Sequence, residues 1–201
     1  MSLEPLAQSI LDFWFGPLDQ GQVAAEKSKA WFTKDAKFDK LIQQKFGSYL
    51  DIAFMGALDR WTLNPEGRTA LIVLLDQFPR NIHRNSHMAW HFDKKSLALS
   101  LESIASEDYL RVPTVYGYFT LMPTMHAEDL KVQNLGIESF EKLRNRSTEP
   151  TRPMIESAIS YAIKHRDIIE RFGRFPHRNQ LLERESTEEE LAFLQGPGSS
   201  F

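Results

Sequence analysis

Asp35-Ala36-Lys37-Phe38-Asp39-Lys40-Leu41-Ile42-Gln43-Gln44-Lys45-Phe46 reads as the start of a helix. Asp35 offers an N-cap oxygen, and the apolar positions recur every three or four residues. The pattern continues through Tyr49, Leu50, Ala53, Phe54, Ala57, Leu58 and Trp61. That spacing predicts one long amphipathic helix with its weak point at Gly47. No stretch of the chain alternates with period two, and no Asn-Gly or Asp-Gly hairpin signal occurs, so the fold class is all-α.

Upstream, Leu6, Ile10, Leu11, Phe13, Trp14 and Phe15 predict a helix that Gly16-Pro17 ends. Residues 24–32 predict a short second one. Downstream, Asn64-Pro65-Glu66 supplies a cap oxygen, a proline for the first turn and an acid near the positive helix end. The helix it starts passes through Leu71–Leu75, which is apolar on most faces and therefore expected to be central. It is expected to stop at Phe78-Pro79, with a loop from Arg80 to His87. Asp93 is expected to cap a helix to about Ala105. Pro113 opens another that Pro123 breaks or kinks. Thr124 is expected to cap a helix from Met125 to about Leu143.

The polar segment 145–153 reads as the longest connection, and 154–169 as helix. Ser186 with Glu189, or Thr187 with Glu190, offers a capping box for a last helix. The Gly- and Ser-rich tail from about residue 196 is expected to be mobile. The result is a single domain over 1–201 of about eight or nine helices, packed as antiparallel pairs.

Composition narrows the function classes. A net charge of −3 provides no field that draws the chain to nucleic acid or anionic lipid. With no cysteine there is no disulfide, thiol nucleophile or thiolate metal site. The longest aliphatic run, Leu71–Leu75, is far below the ~18–20 residues a membrane span needs. Glu4 stands where a signal peptide carries basic residues. The expected location is cytoplasmic.

The densest polar stretch is His165 through Asn179. It carries Arg166, Arg171, Arg174, Arg178, His165, His177 and Asn179, with turns at Gly173 and Pro176. Helix C-capping accounts for Arg166 and Arg171. Arg174, His177, Arg178 and Asn179 lie beyond the helix and need partners of their own, either internal ones or a ligand's.

Asp76, on the apolar helix, opposes the helix dipole and so calls for a cation. Arg80 and Arg84 are near in sequence, and Arg174 or Arg178 would serve if the Phe78-Pro79-Arg80-Asn81 and Phe175-Pro176-His177-Arg178-Asn179 corners meet. A buried structural ion pair is the plainer account of Asp76. On one helix, His126 and Asp129 would share a face, a pair suited to general-base chemistry, beside Glu128. Helix N-terminal chemistry explains the two acids equally well. His126, His165 and His177 lack a metal-ligand spacing, and neither a metal nor a cofactor is expected. His83, His87 and His91 recur every four residues, but Asn85-Ser86 suits a loop, so these are expected to be exposed.

Several blocks resemble one bacterial family. They are Asp12-Phe13-Trp14-Phe15-Gly16; Trp31-Phe32 with Lys34-Asp35 and Phe38-Asp39; Leu75-Asp76-Gln77-Phe78-Pro79-Arg80-Asn81; Met122-Pro123 with Met125-His126 and Glu128-Asp129; and His165 through Asn179 with Ser186-Thr187. In that order, over about residues 10–194, they resemble the domain of unknown function 924. The resemblance implies a tetratricopeptide-like superhelical architecture and carries no activity with it. Glu183 stands where the pattern has Gly, and Glu188 where it has Pro.

Three functions stay open. One is binding of a small anion or acidic peptide by Asp76, Arg80, Asn81, Arg84, His126, Glu128, His165, Arg174, His177, Arg178 and Asn179. Another is catalysis with His126 or His177 as general base and Arg174 and Arg178 steadying the negative charge of an anionic substrate. The third is a scaffold whose polar blocks only tie helices together. A protein partner or a homodimer is compatible with each.

Overall fold

The first expected helix forms as α1, Pro5–Trp14, in the computed structural model, which describes residues 3–199. Gly16 then turns the chain at φ +68°. Helix α2 (Ala25–Phe32) follows, and α3 (Ala36–Phe46) is capped by the Asp35 carboxylate, which accepts from the Lys37 and Phe38 amides. The predicted long rod breaks at Gly47, where a 3-10 turn leads into α4 (Leu50–Phe54). It ends there and not at Trp61, because Gly56 takes φ +96° and sends the chain into a second 3-10 turn, Asp59–Leu63.

Asn64 caps α5 (Pro65–Ile72) through the Glu66 and Gly67 amides. Helix α5 does not stop at Phe78-Pro79 as its sequence suggests. It runs through a π turn, Val73–Gln77, into α6 (Phe78–Ile82). The Phe78 amide reaches back to the Val73 carbonyl across this widened turn, which gives Pro79 room inside a continuous helix. Of the expected loop, residues 83–86 remain a turn, and a 3-10 turn at His87–Trp90 follows.

Helix α7 (Asp93–Ser106) begins at Asp93, so Asp93 is its first residue and not its cap. Helix α8 (Thr114–His126) carries Pro123 inside it. Thr124 does not start a new helix, since its Oγ1 donates back to the Leu121 carbonyl. The chain becomes extended at Ala127, and Asp129 caps α9 (Leu130–Arg146). His126 and Asp129 therefore lie on different helices, and the shared face expected from their spacing does not form. Helix α10 (Arg152–Phe172) ends on Gly173 at φ +69°. A 3-10 turn at Pro176–Arg178 and α11 (Glu188–Leu194) complete the chain, with the Thr187–Glu190 capping box formed. Among the described residues there is no strand. None of the described helices is long and apolar enough to cross a membrane.

Leu71–Leu75 are all fully buried and form the centre of the core, packed with Trp14, Phe15 and Phe119. Helix α8 lies against α5 and α7, α9 against α8, and α10 against α9 and α8. Short links make the successive partners antiparallel. Gly136 permits the close approach of α9 to α8: a Cβ there would stand 2.2 Å from Thr124 Oγ1. A second, smaller core of Ile168, Ile169 and Phe175 docks the 173–179 turn. Of the tail expected to be mobile from about residue 196, Pro197 and Gly198 are exposed, Ser199 is buried with its Oγ on the Leu194 carbonyl, and Ser200 and Phe201 lie outside the described residues.

Candidate functional site

The π turn determines where Asp76 points. Its carboxylate is fully buried and meets three side chains: Gln77 Nε2 at 2.6 Å, Arg80 Nη1 at 3.2 Å and His126 Nδ1 at 2.8 Å. Burial pushes the Asp76 carboxyl up, but the Arg80 guanidinium, the His126 ring and the hydrogen bonds from His126 and Gln77 together outweigh it, so the group stays below the ordinary carboxylate range. An ionised Asp76 fixes the His126 tautomer, with Nδ1–H donating to the carboxylate and Nε2 carrying the lone pair. The His126 side chain keeps 14% of its surface exposed. Burial and Arg80 lower its pKa, so the ring is neutral at pH 7.

From Arg80 the charges continue outward. Arg80 Nη2 donates to Asp93 Oδ2 at 2.9 Å. On the far side of the same oxygen lies Arg178, with Nη1 at 3.9 Å, beyond hydrogen-bond range. The two Phe-Pro corners thus meet through Asp93. The Arg178 side chain is 9% exposed and packs over the Phe175 and Trp90 rings, at 4.5 and 5.3 Å from their centroids. Its Nε is buried with no partner, as is Asp93 Oδ1. Desolvation, then the charge of Arg80, lowers the Arg178 pKa to about 10.

His165 adjoins from α10, its ring 6.5 Å from that of His126 and 5.8 Å from Phe175. Its Nδ1 donates to the Tyr161 carbonyl at 2.7 Å, and burial lowers its pKa to about 3. His177 packs on Phe175 at 5.6 Å, with burial lowering its pKa to about 4. No group of three or more His, Asp or Glu residues among those described is spaced to hold a metal ion.

The remaining candidates are brought to other partners. Asn81 and Arg84 both bind Asp39 of α3, the arginine through Nε at 2.6 Å and Nη2 at 3.0 Å. Glu128 accepts from Arg184 at 2.6 and 3.0 Å and from the Phe175 amide at 2.9 Å, which moors the turn after α10. Arg174 grips Glu190 at 2.6 and 2.8 Å, and Asn179 donates to Ser186 Oγ and Glu190. His83 is half-buried, and His87 and His91 are exposed.

Sequence reasoning missed Asp93, Trp90 and Gln77 as members of the cluster. Asp93 has the position of a helix cap, and local pattern holds no signal that its carboxylate faces inward to two arginines. Gln77 follows Asp76 directly, a separation that in an ordinary helix points two side chains apart. The π turn brings them together.

The chain matches the profile of the family "Bacterial protein of unknown function (DUF924)" over residues 10–198. It is similar to a solved structure of a protein of unknown function from Agrobacterium tumefaciens, with 34% identity, a TM-score of 0.79, and 95% of this chain and 98% of that one covered. No curated protein matches it.

Proposed function

The chain belongs to the bacterial DUF924 family, and we propose that it binds a small anion, a carboxylate, a phosphate or the acidic end of a peptide, at Arg178. One observation supports this most. Arg178 is a buried guanidinium that donates no hydrogen bond among the described residues, and its nearest carboxylate is 3.9 Å away. A charge taken out of water without hydrogen bonds is costly, and an anionic guest would offset that cost. Phe175 and Trp90 orient the planar fork, which suits two-point contact with an oxyanion. Arg80 and His165 stand near enough to Arg178 for their charges to interact, Asp76 binds Arg80, and the His126 ring lies beside that of His165. Stacking of α7 to α10 in chain order supports a tetratricopeptide-like frame for it. A cysteine-free chain suits a reducing, cytoplasmic setting.

The test is a thermal-shift series with acetate, succinate, inorganic phosphate and a short peptide ending in glutamate. A ligand at a hundred times its Kd stabilises by about 2.7 kcal/mol. At least one of the four raises Tm in the wild type and not in Arg178→Ala, whose own Tm stays near the parent's. An equal rise in both proteins removes the reading.

A second reading, a helical scaffold, draws support from Asn81, Arg84, Glu128, Arg174 and Asn179, which all engage internal partners. Loss of several degrees in Arg178→Ala without ligand, and no response to any anion, favours it.

A further inference from the structure

Asp76 and His126 have the geometry of a base and its orienting acid. The carboxylate is wholly buried and fixed by Gln77 and Arg80, and it holds Nδ1 at 2.8 Å. The opposite nitrogen, Nε2, takes no hydrogen bond from the described residues and belongs to a ring that reaches the surface. The π turn that aims Asp76 is a device common at functional sites. A buried ion pair serving only stability has no need to present an imidazole lone pair outward. We infer that the Asp76–His126 pair is a general-base dyad that activates water against an ester whose free carboxylate is held at Arg178. This rests on the anion reading above.

The charged and titratable groups around His126 are Asp76 and Arg80 from the π turn and α6, Asp93 from α7, His165 from α10, and His177 from the turn beyond it. Burial, and after it the charge of Arg80, outweighs the pull of Asp76 and Asp93 and leaves the ring a weak base, below its ordinary range. Such a base can take a proton from water in concert with attack of the oxygen, since the proton becomes acidic as the new bond forms. Nε2 accepts a proton while the water oxygen bonds to the ester carbonyl carbon, and the carbonyl electrons move onto its oxygen. When they return, the bond to the alcohol oxygen breaks, and the imidazolium gives its proton to that oxygen. Ester and water become acid and alcohol, and His126 is neutral again. His126 is the catalytic residue and Asp76 a positioning residue.

The test compares 4-nitrophenyl hemisuccinate, which carries a carboxylate, with 4-nitrophenyl acetate, which does not. The wild type favours the hemisuccinate at least tenfold in kcat/KM, and Arg178→Met erases the preference by raising KM. His126→Gln lowers kcat by about a hundredfold or more. The wild-type rate rises with pH through a midpoint below 6.5. Asp76→Asn lowers that midpoint further, because the Asp76 charge raises the His126 pKa.

Should a variant fail to fold, diethyl pyrocarbonate on the wild type gives an independent readout. It modifies His126, succinate protects that site, and exposed His87 and His91 serve as references. Hydrolysis that survives in folded His126→Gln overturns the inference, as does a His126 left unmodified while His87 and His91 react. A hemisuccinate that raises Tm but is not turned over sinks the dyad and leaves the anion site standing. No Tm response and no turnover sinks both.

Discussion

Arg178 Nη1 stops 3.9 Å short of Asp93 Oδ2, the oxygen that Arg80 already holds at 2.9 Å. One carboxylate oxygen therefore faces two guanidiniums and satisfies one. Replacing Arg178 with Met keeps the volume between Phe175 and Trp90 and removes a poorly compensated charge. Stability in urea should rise, by about 1 kcal/mol. A fall of that size would instead make Arg178 a structural member of the core.

Acid should destabilise the protein earlier than its carboxylates explain. The folded pKa of His165 is about 3 and that of His177 about 4, both lowered by burial from an ordinary 6.5. Between those values the unfolded chain binds protons that the folded one refuses, so stability is full above about pH 6.5 and declines as pH falls. Each histidine contributes a slope of up to about 1.4 kcal/mol per pH unit. Urea midpoints at pH 7, 6 and 5 measure this, and His165→Gln should flatten the decline.

Glu183 adopts φ +53°, in the left-handed region that disfavours a side chain. Glu183→Gly should stabilise by about 0.5–1 kcal/mol. Thermal unfolding of the single variant checks it, and a lower Tm would mean that the glutamate side chain contributes more than the strain costs.

Gly136→Ala should cost about 1–3 kcal/mol, because the new methyl meets Thr124 Oγ1 at 2.2 Å and Thr124 Cβ at 2.8 Å across the α8–α9 contact. Gly196→Ala, where the added methyl would meet only the Phe193 carbonyl oxygen at 3.4 Å and φ is not positive, is the control. A Gly136→Ala protein as stable as the parent would show that the two helices can move apart freely.

The helices were legible where a local rule governs them. Asp35, Asn64 and Thr187 cap the helices their sequence announces, Gly16 and Gly173 turn the chain at positive φ, and Gly47 marks the end of α3 in an ordinary helical conformation. Even the departure at Glu183 falls on a backbone angle that explains a preference for glycine. The prolines misled. Pro79 and Pro123 both read as stops, yet both ride inside helices whose burial overrides their local cost. The site was legible as a list of residues and not as a grouping. Asp76–His126 spans 50 positions and Arg178–Asp93 spans 85, and only tertiary packing decides which of the nearby cations each acid meets.

A π turn holds one residue more than the helical turn it replaces. Deleting one residue from Val73–Gln77 would let an ordinary α-helix close, and because the shorter turn still completes about one revolution, the helix beyond it would keep nearly the same phase. Arg80, Asn81 and Arg84 would still face Asp93 and Asp39, while Asp76 and Gln77 would lose the wide turn that carries them beside His126. The extra residue thus works like slack let into a cord: both ends keep their alignment, and the loop stands out only where the buried acid sits.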